Sequence, residues 1–298
     1  MKREFLVENQ WFIAFGLAIA PPRSVMKTLR STLFVLAAAL PIGATTPAVN
    51  TDEIIRKSVA VTREDWKQAP AYAFIERDLE SKKDSRKTAK TYVVLMIDGS
   101  PYDKVIAIDD KPLSREQQQA EDQKLQNVIQ TRKNESPRER RRRIAKYEKE
   151  RSQDETMMRE MVNAFNFHLL GETQMNGREV YQFQATPKPG YVPPNRDAKV
   201  LTGMRGMLWV DKETNQWVKV VAEVVHPVSF FGFIAKVGPG TRFELEQEPI
   251  TATLWMPKHF SVNVNATAFG LFNENSTDDE TYLHYQPMTR ALELQAMR

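Results

Sequence analysis

The sequence predicts an α+β protein, mainly antiparallel β, folded as an incomplete (unclosed) β-barrel with packed helices and a charged helical insertion. About ten short segments alternate apolar and polar side chains, which is typical of strands with one face on the core and one in water. Residues 114–164 are instead rich in Gln, Glu, Arg and Lys and contain no glycine, which indicates helices. The 41% hydrophobic and 27% charged content of the 298 residues is that of a globular protein. We expect residues 49–298 to form a single domain.

Residues 1–48 have the features of an export segment. A basic stretch beginning at Met26 precedes an apolar run and a small-residue exit, which are the parts of a secretory signal peptide. The apolar run is shorter than the roughly 20 residues that a membrane-spanning helix needs. We expect cleavage near Ala44 or Ala48 and a periplasmic or secreted mature protein without a permanent membrane span. Residues 1–25 carry a second apolar run and are interpreted as a mis-called start; the alternative is a re-entrant anchor formed by both runs.

The charge of the mature chain excludes a general nucleic-acid-binding surface. The whole sequence has 42 basic and 38 acidic residues, a net charge of +4. The export segment holds five of the basic and two of the acidic residues, so the mature chain keeps 37 against 36, a net charge of +1. There is no cysteine, which excludes a disulfide framework, thiolate–metal sites, a cysteine nucleophile and a lipid-modified N-terminal cysteine.

The first half of the mature chain predicts a helix, three strands and two more helices. Asn50 and Glu53 form a capping signature at the start of a helix over residues 51–66. The charged residues 114–164 predict two helices that are broken at Pro137, which suits the first turn of the second helix. The strands between these helices are predicted at residues 71–75, 92–97 and 104–108.

The second half predicts a succession of strands separated by turns. The sequence 175–177, Met-Asn-Gly, is a hairpin signal. Acidic pairs, Asp109-Asp110 and Asp278-Asp279, are interpreted as turn residues, because aspartate favours turns for conformational reasons. The strands are predicted at residues 165–171, 179–185, 207–211, 216–225, 242–246, 250–256, 259–268 and 281–285.

No motif in the sequence supports catalysis. None of the four histidines has the spacing of a helical metal site, and the nucleophile-elbow, P-loop and dinucleotide-binding patterns do not occur. Gly238-Pro239-Gly240 is interpreted as a turn, because proline lacks the amide donor that a phosphate would need. We therefore expect a protein that is not an enzyme and uses no cofactor and no metal.

Residues 138–143, Arg-Glu-Arg-Arg-Arg-Arg, are the most basic stretch of the chain. Contact with the phosphate groups of lipid or nucleic acid is one interpretation. The interpretation favoured by nearby acidic residues is a solvated helix with i,i+4 salt bridges.

The segment 227–235 places three phenylalanines, Phe230, Phe231 and Phe233, beside turn-forming residues. It is either a core strand or a plug over the sheet, or a hydrophobic mouth for an acyl chain. In the second case affinity would come from buried CH₂ groups, at about 0.8 kcal/mol each.

Several motifs resemble the LolA/RseB-like outer-membrane lipoprotein-sorting superfamily, and the fuller pattern looks like an uncharacterised secreted bacterial branch of it. The motifs are a strand ending in Trp-Val-Asp with a polar turn, a following strand and a later Trp-x-Pro element. They lie at residues 97–102, 187–191, 203–214, 218–220, 232–233 and 254–257. The resemblance implies an unclosed barrel with helices over its concave face and an apolar cavity. LolA-like members carry lipoprotein acyl chains across the periplasm, and RseB-like members sense lipid or lipoprotein and regulate a membrane partner. The long charged segment 114–164 departs from a simple carrier, and the second domain of RseB has no counterpart.

Two functions remain open at this point. The first is periplasmic, non-catalytic binding of a lipid or lipoprotein acyl chain in an apolar half-barrel cavity, as carrier or sensor. The second is an interaction or regulatory module that binds an envelope or outer-membrane protein through helices 114–164, without lipid cargo. For the first function, the candidate ligand-binding residues are Phe230, Phe231, Phe233, Phe243, Leu245, Leu254 and Trp255.

Overall fold

A computed structural model describes residues 49–82, 87–230, 235–268 and 272–291 of the chain. The predicted export segment and the side chains of Phe230, Phe231 and Phe233 lie outside the described residues. No helix in these ranges is long and apolar enough to cross a membrane.

Three long helices form where the sequence supplies capping residues. Helix α1 (Thr51–Gln68) begins at Asn50, whose side chain accepts a hydrogen bond from the Glu53 backbone N–H at 3.2 Å. A short 3-10 helix (Ala69–Ala71) follows it. Helices α2 (Arg115–Lys133) and α3 (Pro137–Ala164) each begin with a capping box, and Pro137 stands in the first turn of α3. The predicted break at Pro137 is therefore confirmed.

The strands form one antiparallel sheet. Eleven of them follow a single path in the order β4-β3-β2-β1-β13-β12-β11-β8-β7-β6-β5, and β10 pairs with both β12 and β9. In the described part of the chain the end strands β4 and β5 are not paired with each other, so the sheet is an unclosed barrel, as predicted. The strands are β1 (Tyr72–Lys82), β2 (Thr88–Ile97), β3 (Ser100–Ile108), β4 (Lys111–Pro112), β5 (Phe165–Met175), β6 (Arg178–Pro187), β7 (Met204–Asp211), β8 (Trp217–Val224), β9 (Val228–Phe230), β10 (Ala235–Val237), β11 (Arg242–Pro249), β12 (Trp255–Ala268) and β13 (Phe272–Pro287).

The main core lies between one face of this sheet, here called the inner face, and helices α1 and α3. A second 3-10 helix (Asp197–Gly203) contributes to the same core. Burial of large apolar side chains from both layers supplies the driving force for folding, since each stabilises by about 1.5–3 kcal/mol when fully buried. The buried residues include Ile55, Met157, Met158, Met161, Phe183, Leu208, Trp217, Phe243 and Phe260.

Two strand predictions were wrong, each for a local reason. Residues 250–254 form a turn rather than a strand: the Ile250 backbone N–H donates to the Leu254 carbonyl at 2.8 Å, and the strand begins only at Trp255. Strand β13 covers Asp278-Asp279, which the sequence placed in a turn. Its charged residues hide the alternation of apolar side chains by which strands are recognised.

Candidate functional site

Helix α2 packs on the opposite, outer face of the sheet. Ala73 of β1 belongs to a second core cluster that includes Leu95 and, from α2, Leu125, whereas its neighbour Phe74 packs against the main core. Successive strand residues point to opposite faces. The α2–α3 hairpin therefore straddles the sheet, with α3 on the inner face and α2 on the outer face.

The hairpin is fixed to the sheet by two arginines that hold the turn between β2 and β3. The Arg132 guanidinium donates to the carbonyls of Ile97 at 2.7 Å, Ser100 at 2.8 Å and Pro101 at 3.0 Å. Arg143 donates to the Ser100 hydroxyl at 2.8 Å. The sequence motif at 97–102 is thus a turn whose carbonyls are bound by the helices.

Arg143 is itself held by the loop between the two helices. Its guanidinium binds both carboxylate oxygens of Glu135, at 2.8 and 2.6 Å. Gly99, at the tip of the turn, has a φ of +88°, and a Cβ there would lie 3.0 Å from the Ile144 side chain. Both the backbone conformation and the close approach of α3 therefore favour glycine.

Replacing Arg132 with lysine is expected to lower the free energy of unfolding by about 1–2 kcal/mol. A single ammonium group cannot reach the three carbonyls that the planar guanidinium spans. The measurement is urea unfolding, with the exposed Arg138→Lys as the matched control. Equal stability of the two variants would show that the turn is held by other contacts.

A cleft of about 710 Å³ opens between α2 and the outer face of β1, β2 and β3. This volume lies within the range of about 300–1,000 Å³ typical of small-molecule sites. Much of its wall is apolar, and polar groups come from α2, β3 and β13. The lining residues on which the argument depends are Ile75, Val93, Leu95, Leu125, Lys104 and Asp122.

The charged pair in this cleft is asymmetric. Lys104 of β3 forms an ion pair with Asp122 of α2. The lysine side chain is only 10% exposed, whereas the aspartate side chain is 61% exposed. A buried ammonium group needs a partner, because an uncompensated buried charge is costly. An exposed carboxylate can return to water, so Lys104 could exchange it for an anionic group of a ligand.

The inner face of the half-barrel offers far less space. Its apolar cavity measures about 20 Å³ and is lined by Met161 of α3, Phe165 of β5 and Phe243 of β11, among others. Such a volume holds about one water molecule. Among the described residues, this cavity is surrounded by side chains of α3 and of the facing strands.

The structure distributes the predicted ligand-binding residues over more than one region. Phe243 is fully buried in the main core, and Leu245 packs against that core. Trp255 lies in a separate cluster with Val180 and Val218, and Leu254 is buried in the turn that precedes it.

Residues of the second half, among them Trp255 of the Trp-x-Pro motif, bind helix α1 to the sheet. Asp65 of α1 accepts hydrogen bonds from the Gln216 side chain at 2.6 Å and from the Trp255 backbone N–H at 3.2 Å. The Trp217 indole N–H donates to the Ser58 hydroxyl at 3.1 Å. These contacts tie α1 to β8 and β12. Burial raises the pKa of Asp65 to about 6, although both hydrogen bonds act in the opposite direction.

The inner face carries a row of carboxyl groups that the sequence did not predict. Asp78 of β1 lies directly opposite Glu280 of β13. Glu76 lies two residues before Asp78 on β1, opposite Tyr282. Burial raises the pKa of Glu280 to about 7, with Asp78 and Asp278 adding to the effect and a hydrogen bond from Tyr282 opposing it. The pKa of Glu76 is raised well above its usual value, first by burial and then by Glu280. Across the described ranges no three histidine, aspartate or glutamate side chains are arranged to hold a metal ion.

No protein-family model and no curated protein sequence matches the chain. Solved structures do match it. A LolA superfamily protein from Nitrosomonas europaea is 9% identical with a TM-score of 0.32, covering 80% of this chain and 94% of the other. A DUF1329 family protein from Desulfovibrio piger is 13% identical with a TM-score of 0.29, covering 78% and 92%. MucA/MucB from Pseudomonas aeruginosa matches at 11% identity and a TM-score of 0.22, covering 79% and 98%. A LolA superfamily protein is thus among the solved structures that the chain matches, as its motifs predicted.

Proposed function

We propose that the protein binds the acyl chain of a lipid or lipoprotein, without chemistry on it, in the cleft beneath helix α2. The observation that carries this proposal is the 710 Å³ space with apolar walls from Val93, Leu95 and Leu125 and a lysine among its polar groups. Each CH₂ group buried there would contribute about 0.8 kcal/mol to binding. The export segment predicted at residues 1–48 supports a periplasmic site of action.

The volumes of the cleft and of the interior cavity favour the cleft as the position of the acyl chain. The interior cavity of about 20 Å³ is too small for more than a methyl group or a water molecule. The predicted ligand residues Phe243 and Leu245 would therefore take part only if α3 withdrew its methionines from the sheet. Methionine suits such a replaceable contact, because its unbranched side chain adapts to different neighbours. The cleft needs no such movement.

Filling the cleft tests the proposal. Replacing Val93 with tryptophan is expected to weaken binding of a fluorescent fatty acid by at least about tenfold, which corresponds to the loss of about two buried CH₂ groups. The matched control is Leu170→Trp on strand β5, where the native side chain is 50% exposed. Fluorescence titration measures both variants, and circular dichroism checks that each is folded.

A second substitution separates the two positions. Phe243→Leu changes the interior and leaves the cleft walls intact, so it should bind the probe as the wild type does. If Val93→Trp bound the probe as tightly as the wild type and Phe243→Leu bound it more weakly, the binding site would lie in the interior and not in the cleft. Absence of binding by the wild type would reject the lipid-binding function.

The small size of the described interior cavity also favours a second candidate function, an envelope protein-interaction module. The α2–α3 hairpin presents two solvated helices and an open polar groove of about 920 Å³ lined in part by Asn127, Glu135 and Arg142. Mass spectrometry of protein purified from the envelope distinguishes the candidates. Co-purified lipid supports the carrier or sensor, whereas a lipid-free protein with a stable partner in pull-down supports the module.

A further inference from the structure

The first turns of helix α3 carry a stripe of exposed basic side chains, here called the basic stripe: Arg138, Arg141, Arg142 and Lys149. Residues spaced by three, four and seven positions share one face of a helix. From its first to its last residue the stripe extends over about 16 Å, at a rise of about 1.5 Å per residue. It points away from the sheet, since the sheet contacts of α3 come from residues such as Arg143 and Ile144.

The protein compensates the basic stripe only in part: the pKa of Glu139 is lowered by hydrogen bonds from Ser136 and then by the neighbouring Arg142, but Glu139 and Arg142 form no ion pair. None of its four members forms an ion pair in the described ranges, whereas Arg140 and Arg143 on the other side of α3 pair with Asp98 and Glu135. The helix is solvated on this side, as the sequence predicted, and the ion pairs of Arg140 and Arg143 run to residues outside α3. Like charges three and four residues apart destabilise a helix. The stripe therefore carries an excess of positive charge, which an anionic partner would neutralise.

The composition of the stripe identifies the class of that partner. Stable protein interfaces centre on buried aromatic or apolar anchors, whereas the four side chains of the stripe are all basic. A layer of phosphate headgroups, in contrast, is recognised by clustered Lys and Arg alone. We propose that the basic stripe docks the protein on the surface of an anionic phospholipid bilayer.

Vesicle binding tests this proposal with the full chain. The wild type is expected to bind phosphatidylcholine vesicles that contain 30% phosphatidylglycerol, and to lose most of that binding at high salt. Vesicles of pure phosphatidylcholine measure any contribution from other parts of the chain. The variant Arg141→Gln with Arg142→Gln should weaken the charge-dependent binding about 25-fold, because each basic residue near the surface contributes about fivefold.

The matched control is Lys111→Gln with Lys199→Gln, which removes the same charge at two exposed positions outside the stripe. It should bind the anionic vesicles within about twofold of the wild type. Equal losses in the two double variants would overturn the proposal, since binding would then follow net charge. The proposal would also be overturned if the wild type bound vesicles with and without phosphatidylglycerol equally well. Binding of poly-glutamate through the stripe, without binding of anionic vesicles, would overturn it as well.

Discussion

Replacing Asp211 with alanine is expected to lower the free energy of unfolding by about 2–3 kcal/mol, because it removes a buried carboxylate that accepts several hydrogen bonds. Arg178 is 30% exposed and keeps Glu213 as a second partner, which limits the loss. The Asp211 carboxylate is 1% exposed and ends strand β7. It accepts hydrogen bonds from Arg178 at 2.5 and 3.1 Å and from the backbone N–H and hydroxyl of Thr214, both at 2.8 Å. Alanine leaves the guanidinium without its buried partner and removes the acceptor that closes the turn.

The loss would extend to the neighbouring strand. Arg178 stacks over the Trp255 ring at 5.3 Å, so the ion pair also positions the Trp-x-Pro element. Asp211→Asn keeps an acceptor for Thr214 but not the charge, and should lie between the wild type and alanine. Urea unfolding measures all three proteins. An Asp211→Ala variant within about 1 kcal/mol of the wild type would show that the turn between β7 and β8 closes without the carboxylate.

This role of Asp211 explains why the motifs predicted the fold better than the site. The residues that carry the family resemblance, such as Asp211, Trp255 and Gly99, hold turns and strand ends, which any member of a fold needs. Pro137 likewise determined the helix boundary through local chemistry. Local features of this kind can be predicted from sequence.

The cleft could not be predicted in the same way. Its walls come from Ile75, Val93 and Leu95 on neighbouring strands and from Leu125 on α2. In the sequence these are only apolar positions within predicted strands and a predicted helix. Only the position of α2 on the outer face leaves space between them, and that position depends on Arg132 and the turn that it binds. Of the ligand-binding residues that the sequence predicted, Phe243 lies fully buried in the main core and Phe230, Phe231 and Phe233 lie outside the described side chains.

The carboxyl row on β1 and β13 leads to a prediction about pH. Replacing Glu280 with glutamine is expected to raise the free energy of unfolding by about 2–3 kcal/mol at pH 8 and to change it little below pH 4.5. The pKa of Glu280 is raised from 4.5 to about 7 in the folded protein. Below pH 4.5 the group is protonated in both states, so it costs nothing. As the pH rises to 7 and above, the folded state must bury a charge that the unfolded state exposes to water.

The groups around Glu280 affect the size of the expected change in the free energy of unfolding. Asp78, Asp278 and Asp279 contribute repulsion, and Tyr282 donates a hydrogen bond that glutamine can still accept. Thermal unfolding from pH 4.5 to 8 measures the difference, with the exposed Glu148→Gln as the matched control. If Glu280→Gln and Glu148→Gln followed the wild-type pH profile equally, the carboxyl would be as well solvated in the folded protein as in the unfolded chain. If Glu280→Gln were more stable than the wild type only as the pH rises, the result would show that burying this carboxyl group on the inner face lowers the stability of the folded protein.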